Sequence, residues 1–184
     1  MSTQLWYVGL VALVVVARGV ELAVSERNRR WSLARGGVES GAGHYPVMVA
    51  LHTGLLVGAV VEVLVLDRPF LPWLGWPMLA LLVASHALRW WCISTLGHQW
   101  CTRIVVVPGL QAVTSGPYRF LRHPNYLAVV LEGIALPLVH TAWITAIAFT
   151  ILNAFLLRVR IRAEEDALRH ANSPAAGITA PANR

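Results

Sequence analysis

The residues best equipped for chemistry lie in one stretch, SGPYRFLRHPNYLAVVLEG, Ser115 to Gly133, where two prolines, two arginines, a histidine and two tyrosines meet the start of an apolar run. If Pro117 to Arg122 forms a helical turn, Tyr118 and Arg122 share one face, and Arg119 and His123 share another. Pro124 pushes the backbone of His123 out of the helical region and limits where its ring can point. An imidazole and a guanidinium are thereby fixed at the edge of an apolar segment. Either tyrosine alone reads as an interfacial anchor. Arg122 and His123 together, held by Pro124, read as a site.

A second cluster, RVRIRAEEDALR, spans Arg158 to Arg169. Arg160 and Glu164 stand at i,i+4, as do Arg158 and Arg162, which alone would describe an ion-paired helix end. Glu164 and Glu165 become candidates because chain topology brings them to the same side as Arg122 and His123. Ionisable residues inside apolar segments are expensive and default to function. Glu132 lies about two helical turns after His123, placed to bond into the bundle or to face the site. His52 is open to either role, Glu62 reads as structural, and His86 and Arg89 either reach the site or snorkel. Cys92 and Cys101 have neither CxxC spacing nor a matching histidine set, so no metal is expected. No GxSxG, HExxH or GxGxxG motif occurs.

These residues need elements to position them, and composition says which. The chain has 184 residues, 57% of them hydrophobic and only 13% charged, with a mean hydropathy of +0.59. Soluble domains carry about 25% charged residues, so the expectation is an all-α integral membrane protein. All 15 basic residues are arginine, and the net charge is +6. The arginines sit at the ends of apolar runs rather than on one basic face, which excludes nucleic acid as a partner and points to topology and lipid headgroups. The apolar N-terminus lacks the basic region of a signal peptide and reads as a retained first helix.

About five transmembrane helices are expected: Leu5–Val24, Pro46–Leu66, Pro69–Trp91, Tyr126–Val139 and Ala142–Leu157. The last two are short of the roughly 20 residues that a span needs, so they either extend into the interface or form a tight buried hairpin. Arg27, Arg29, Arg30 and Arg35 fill the first loop, Arg103, Arg119 and Arg122 the third, and Arg158, Arg160, Arg162 and Arg169 follow the last helix. The intervening loops are almost uncharged. The positive-inside rule therefore places the C-terminus and both motifs in the cytoplasm. Before the fourth helix, RIVVVPGLQAVT predicts a short cytoplasmic hairpin around Pro108-Gly109. Residues 1–170 form a single domain, and 171–184 read as a disordered tail.

Four features together, LGHQW (Leu96–Trp100), VTSGPYRFLRHPNY (Val113–Tyr126), Glu132 and RIRAEEDAL (Arg160–Leu168), resemble the isoprenylcysteine carboxyl methyltransferase family over roughly the C-terminal half. The resemblance implies an integral-membrane O-methyltransferase that uses S-adenosylmethionine without a Rossmann domain, in a bacterial cell membrane with its active site facing the cytoplasm. It implies that Tyr118, His123, Pro124, Glu164 and Glu165 bind the cofactor. Arg122 and His123 would be catalytic, and Tyr126, Glu132 and His52 would meet the substrate. GHYPVMVALHTGLLVGAVVE (Gly43–Glu62) further resembles small bacterial members associated with type III polyketide synthases. The implied partner is a lipophilic acceptor from the membrane, either a prenylcysteine-like carboxylate or the hydroxyl of a long-chain alkylpyrone or alkylresorcinol. Two other classes remain open: an NADPH-dependent sterol-type membrane reductase, which shares related C-terminal architecture, and a non-enzymatic membrane scaffold.

Overall fold

The computed structural model describes residues 2–171. The expected tail falls outside them, apart from Ala171, which ends the last helix. Five helices follow in order: α1 (Ser2–Leu33), α2 (Tyr45–Val65), α3 (Pro72–Leu96), α4 (Pro124–Leu138) and α5 (Trp143–Ala171). α1, α2, α3 and α5 are each long and apolar enough to cross a membrane. α4 has 15 residues, about 22 Å at about 1.5 Å per residue, against a hydrocarbon core of about 30 Å. The protein is a helical membrane protein with four full-length spans and one shorter apolar helix.

The short helix is buried rather than lipid-facing. Ala128, Glu132, Gly133, Ala135 and Leu136 are all sequestered, mainly against α3 and α5. At Gly133 an added Cβ would sit 2.1 Å from the Phe149 ring, so only glycine allows α4 and α5 this close. Only α4 is short, since α5 runs 29 residues, well past the expected end at Leu157, and is long enough to span. The two helices still pack as a hairpin. Its turn is fixed by Glu62 on α2, whose carboxylate accepts from the backbone N–H groups of Ile144 (3.1 Å) and Thr145 (2.7 Å) and from the Thr145 hydroxyl (2.8 Å). Arg68 pairs with the same carboxylate at 2.9 Å. Glu62 thus satisfies the first orphan donors of α5, which in lipid have no water to turn to.

Outward faces carry the apolar residues: Leu13, Val16, Val57, Ile147 and Phe155 are each more than half exposed, as a lipid-facing surface requires. The buried face of α1 follows a heptad rhythm, Tyr7, Val11, Val14, Arg18, Glu21, Ser25, Asn28, Ser32, with Arg18 only partly covered. Its first three members join a core with Ala59, Val63, Leu82 and Leu136, and the remainder are polar. That polar half holds the loop after α3. Asn28 donates to the carbonyls of Gly97 (3.0 Å) and Trp100 (2.9 Å), and Ser25 accepts from the N–H of Thr102 at 2.9 Å.

The loop departs from expectation at one point. The Pro108-Gly109 turn forms, with Leu110 N–H bonded to Val107 O at 3.2 Å and Gly109 at φ 77°. The strand before it, however, does not fold back on the residues that follow. This strand, β2 (Ile104–Val106), pairs antiparallel with β1 (Val38–Ser40) from the loop between α1 and α2, in register Glu39 opposite Val105. The local hairpin is replaced by a ladder between two loops at the arginine-rich end. Arg103 reinforces it through Glu39 at 2.6 Å.

Candidate functional site

Beneath this ladder the two motifs converge. Gly116–Arg119 forms a single 3-10 turn started by Pro117, which buries its ring and sets Tyr118 inward. Gly116 lies at φ 57°, and a Cβ there would strike Thr95, so the turn packs directly on the end of α3. His123 has φ −131° and ψ 60°, outside the helical region as the following proline demands, and α4 begins at Pro124. The His123 ring stacks on Tyr126 with centroids 5.4 Å apart. Its Nε2 lies 3.8 Å from Glu165, which also stands 4.0 Å from Arg122 and 3.8 Å from Arg169. The Tyr126 hydroxyl donates to Glu164 and accepts from Arg160 Nε at 3.2 Å.

His123 and Glu164 therefore meet across one cavity of about 290 Å³, lined by Tyr118, Arg122, His123, Tyr126, Glu164 and the β2 residues Ile104, Val105 and Val106 among others. This is close to the lower bound of small-molecule sites, which run to about 300–1,000 Å³. Glu165 and Pro124 are not on its wall. The first stands 3.8 Å from His123 Nε2, and the second is fully buried next to His123. Arg122 stands at the mouth with its side chain 88% exposed. Burial, with Cys92 beside it, pushes the Tyr118 phenol above its usual range and keeps it a neutral donor.

A second cavity, about 190 Å³, continues from the first into the bundle. Trp100, Asn125, Tyr126 and Arg160 belong to both. His52 lines this inner cavity, with Nδ1 turned to its own helix at Met48 O (2.8 Å) and its ring edge-on to Phe149. Glu132 lies behind the wall. It is 4% exposed and engages Arg18 and also Arg89 at 2.7 Å, and those two arginines line the cavity. Its placement is that of a residue that holds others rather than one that meets a ligand directly. Glu21 completes the group through Arg18 and, at 3.8 Å, Arg89. Two acids and two bases so form a buried, charge-balanced quartet between α1, α3 and α4.

Three residues missed by sequence reasoning matter here. Arg160, assigned above to an ion pair with Glu164, instead reaches with Glu164 to the same Tyr126 hydroxyl. It also donates to Thr102 O and approaches Met48 Sδ at 3.1 Å. Arg18 and Glu21 were passed over inside an apolar segment, though their place in the polar rhythm of α1 marks them. His98, within the LGHQW motif, stacks on Trp31 at 5.0 Å and is not among the residues lining either cavity. His86 likewise lines neither. Among the described residues no group of three histidine, cysteine or acidic side chains could hold a metal ion.

A sequence model of the isoprenylcysteine carboxyl methyltransferase (ICMT) family matches residues 78–170, from α3 through almost all of α5. The chain is 39% identical to an uncharacterized protein, YpbQ, of Bacillus subtilis, covering 87% of this chain and 95% of that one. It is 28% identical to an uncharacterized protein of Haemophilus influenzae, over 86% of this chain and 92% of that one.

Proposed function

Because the chain belongs to the isoprenylcysteine carboxyl methyltransferase family of membrane methyltransferases, we propose that it is an S-adenosylmethionine-dependent O-methyltransferase whose lipophilic acceptor comes from the bilayer. The observation that carries this reading is the shared wall: one cavity opens at the arginine-rich end, the other lies among apolar helices, and Tyr126 and Arg160 stand between them. By the positive-inside rule the first opens to the cytoplasm, where the cofactor is dissolved.

The chemistry of the outer cavity suits that cofactor. Glu164 offers a carboxylate to an ammonium, and the Trp100, Tyr118 and Tyr126 rings offer faces to a sulfonium. When bound, S-adenosylmethionine supplies an activated methyl group, whose in-line displacement needs alignment and exclusion of water more than acid–base help. Arg160 does the aligning. It is 6% exposed, held by Tyr126, Thr102 and Met48 at the junction of the two cavities, and has no carboxylate within ion-pair distance among the described residues, so its positive charge is left uncompensated where an acceptor oxygen would arrive. This assigns to Arg160 the role that sequence gave to Arg122, which guards the rim. A carboxylate acceptor would need only that cation. A hydroxyl must also lose its proton, and the Tyr126 hydroxyl with Glu164 behind it, or the His123 imidazole, is placed to take it.

Along the lipid-facing side, α2 and α5 enclose an apolar groove of about 640 Å³ lined by Leu51, Leu55, Phe149, Phe155 and Leu156. Leu156 lines the inner cavity as well, so a long tail lying in the groove would bring its head to Arg160.

Calorimetric titration tests the cofactor assignment. The purified protein should bind S-adenosylmethionine, and Glu164→Ala should weaken that binding about 10–100-fold, the loss of one charged hydrogen bond. Unchanged affinity in the variant removes the assignment. Binding of NADPH without S-adenosylmethionine would favour a reductase.

A further inference from the structure

The turn that carries Tyr118 into the outer cavity presents a second face to the outside. Pro117 is buried and Tyr118 lines the cavity, whereas Phe120 is 73% exposed and Leu121 is exposed beside it. Backbone bonds to Pro117 O, at 3.2 and 3.1 Å, hold both residues in place. Gly116 packs on Thr95, and a Cβ there would come within 3.2 Å of Trp91 Nε1, so the turn sits against the last turns of α3. Trp90 and Trp91 are exposed at that level, as is Leu127 in the first turn of α4. These side chains continue the lipid-facing surface of the spans to the arginine-rich end of the bundle. Tryptophan at a helix end marks the boundary between hydrocarbon and headgroups, and Phe120 and Leu121 lie at that boundary.

Charge says what lies beside them. Arg119 and Arg122 flank the apolar pair, and both are exposed. Arg119 has no carboxylate within ion-pair distance among the described residues, and its guanidinium lies 5.9 Å from the Phe120 ring centroid. Arg122 reaches only Glu165, at 4.0 Å, and that carboxylate is shared with His123 and Arg169, each at 3.8 Å. Two cations around an exposed phenylalanine and leucine suit an anion that carries its own apolar chains. An acidic peptide would meet the arginines but leave Phe120 and Leu121 in water. A zwitterionic lipid would cover the apolar pair but bring the cations no net counter-charge. The positive-inside rule turns this end to the cytoplasmic leaflet, where anionic lipids attract arginine.

We propose that Arg119, Phe120, Leu121 and Arg122 form a docking surface for an anionic phospholipid of the cytoplasmic leaflet. Phe120 and Leu121 lie against its acyl chains, and the two guanidiniums take its phosphate. Arg122 also lines the outer cavity and directly precedes His123, so a headgroup held there forms one side of the entrance. The phosphate replaces the weak pairing of Arg122 with Glu165 and leaves that carboxylate to His123 and Arg169. The inference goes beyond the methyltransferase reading and needs neither cofactor nor acceptor.

Two probes decide it: phosphatidylglycerol and phosphatidylcholine with the same fluorescent tail, titrated by anisotropy against the protein in an uncharged detergent. The wild-type protein should prefer phosphatidylglycerol. Arg119→Gln with Arg122→Gln should cut that preference about 25-fold, about fivefold for each arginine beside an anionic headgroup. The same charge change elsewhere at this end, Arg27→Gln with Arg35→Gln, should leave the preference intact. Phe120→Asp places a carboxylate between the two guanidiniums and should remove it. All five positions are exposed, so the melting temperature in detergent should stay that of the wild type. Equal binding of the two lipids to the wild-type protein overturns the proposal. So does an equal loss in the two double variants, which would show a diffuse charge effect, or a preference that survives Phe120→Asp. Displacement of the probe by inorganic phosphate alone would show a site for the free anion and overturn it as well.

Discussion

The buried face of α1 runs from Tyr7, Val11 and Val14 at one end to Glu21, Ser25, Asn28 and Ser32 at the other, and the bundle around it divides in the same way. Around the first three, Ala59, Val63, Leu82 and Leu136 pack as a dry apolar core. Around the others, acids, arginines, amides and hydroxyls fill the interior, and both cavities that meet at Tyr126 open there. In a bilayer the first arrangement contributes little beyond close packing, since the lipid outside is as apolar as the core. The second is polar where a soluble protein would be greasy. One half is dry packing, the other half contains the candidate site, and the same helices form both.

If that division is right, the largest loss should come from the quartet that separates the halves. Arg89→Met leaves Glu132 with Arg18 alone and Glu21 with less neutralisation, and breaking a buried pair costs about 3–5 kcal/mol. Thermal unfolding in detergent should show it. Arg89→Met with Glu132→Leu should recover part of that loss, because the uncompensated acid is gone. A single variant as stable as the wild type would show the quartet to be solvated, and the comparison would fail at its boundary.

Legibility in the sequence followed the same division. Apolar runs located the helices, because hydropathy reports lipid-facing surface directly. His123 stood out as a histidine fixed by the following proline, Glu164 and Glu165 because topology brings them to its side, and Tyr126 only through the family resemblance. Arg18 and Glu21 did not, since an i,i+3 pair of opposite charge hardly changes the hydropathy of a long apolar window. Their rhythm with Ser25, Asn28 and Ser32 was the available signal. β1 gave none. Three residues in the glycine-rich GGVESG segment have no strand pattern of their own, and only their distant partner at Ile104–Val106 makes them a strand.

Within the polar half, Tyr126→Phe should separate chemistry from support. The hydroxyl hydrogen-bonds to both Glu164 and Arg160. Its loss should lower the methylation rate about 100-fold, the low end for a proton-transfer group, with a stability change of about 1 kcal/mol. In the supporting half, Leu136→Ala should reverse the pattern. It should cost about 2 kcal/mol, the low end for a truncated core leucine, and leave cofactor binding untouched. A rate loss in Leu136→Ala matching that of Tyr126→Phe would mean that the halves are mechanically one.

The smallest effect belongs to the edge of the polar half, where Arg103 joins Glu39 at 2.6 Å and lies 4.0 Å above the Tyr45 ring. The Glu39 hydrogen bond raises the affinity of Arg103 for its proton, so the guanidinium keeps its charge across the neutral range. Both side chains are partly exposed, at 35% and 21%, so solvent screens them, and such pairs contribute about 0.2–1 kcal/mol. Arg103→Gln should therefore lower stability only slightly, and by less at high salt, since the Debye length falls to about 3 Å at about 1 M. The residue precedes β2, however, and β2 forms one wall of the outer cavity. Loosening the ladder should raise the dissociation rate of a bound cofactor more than it lowers the melting temperature. A variant that melts earlier yet holds the cofactor as long as the wild type would show that β2 is fixed by Ser25 and Asn28 of α1 alone, and that the two-loop ladder is dispensable to the site.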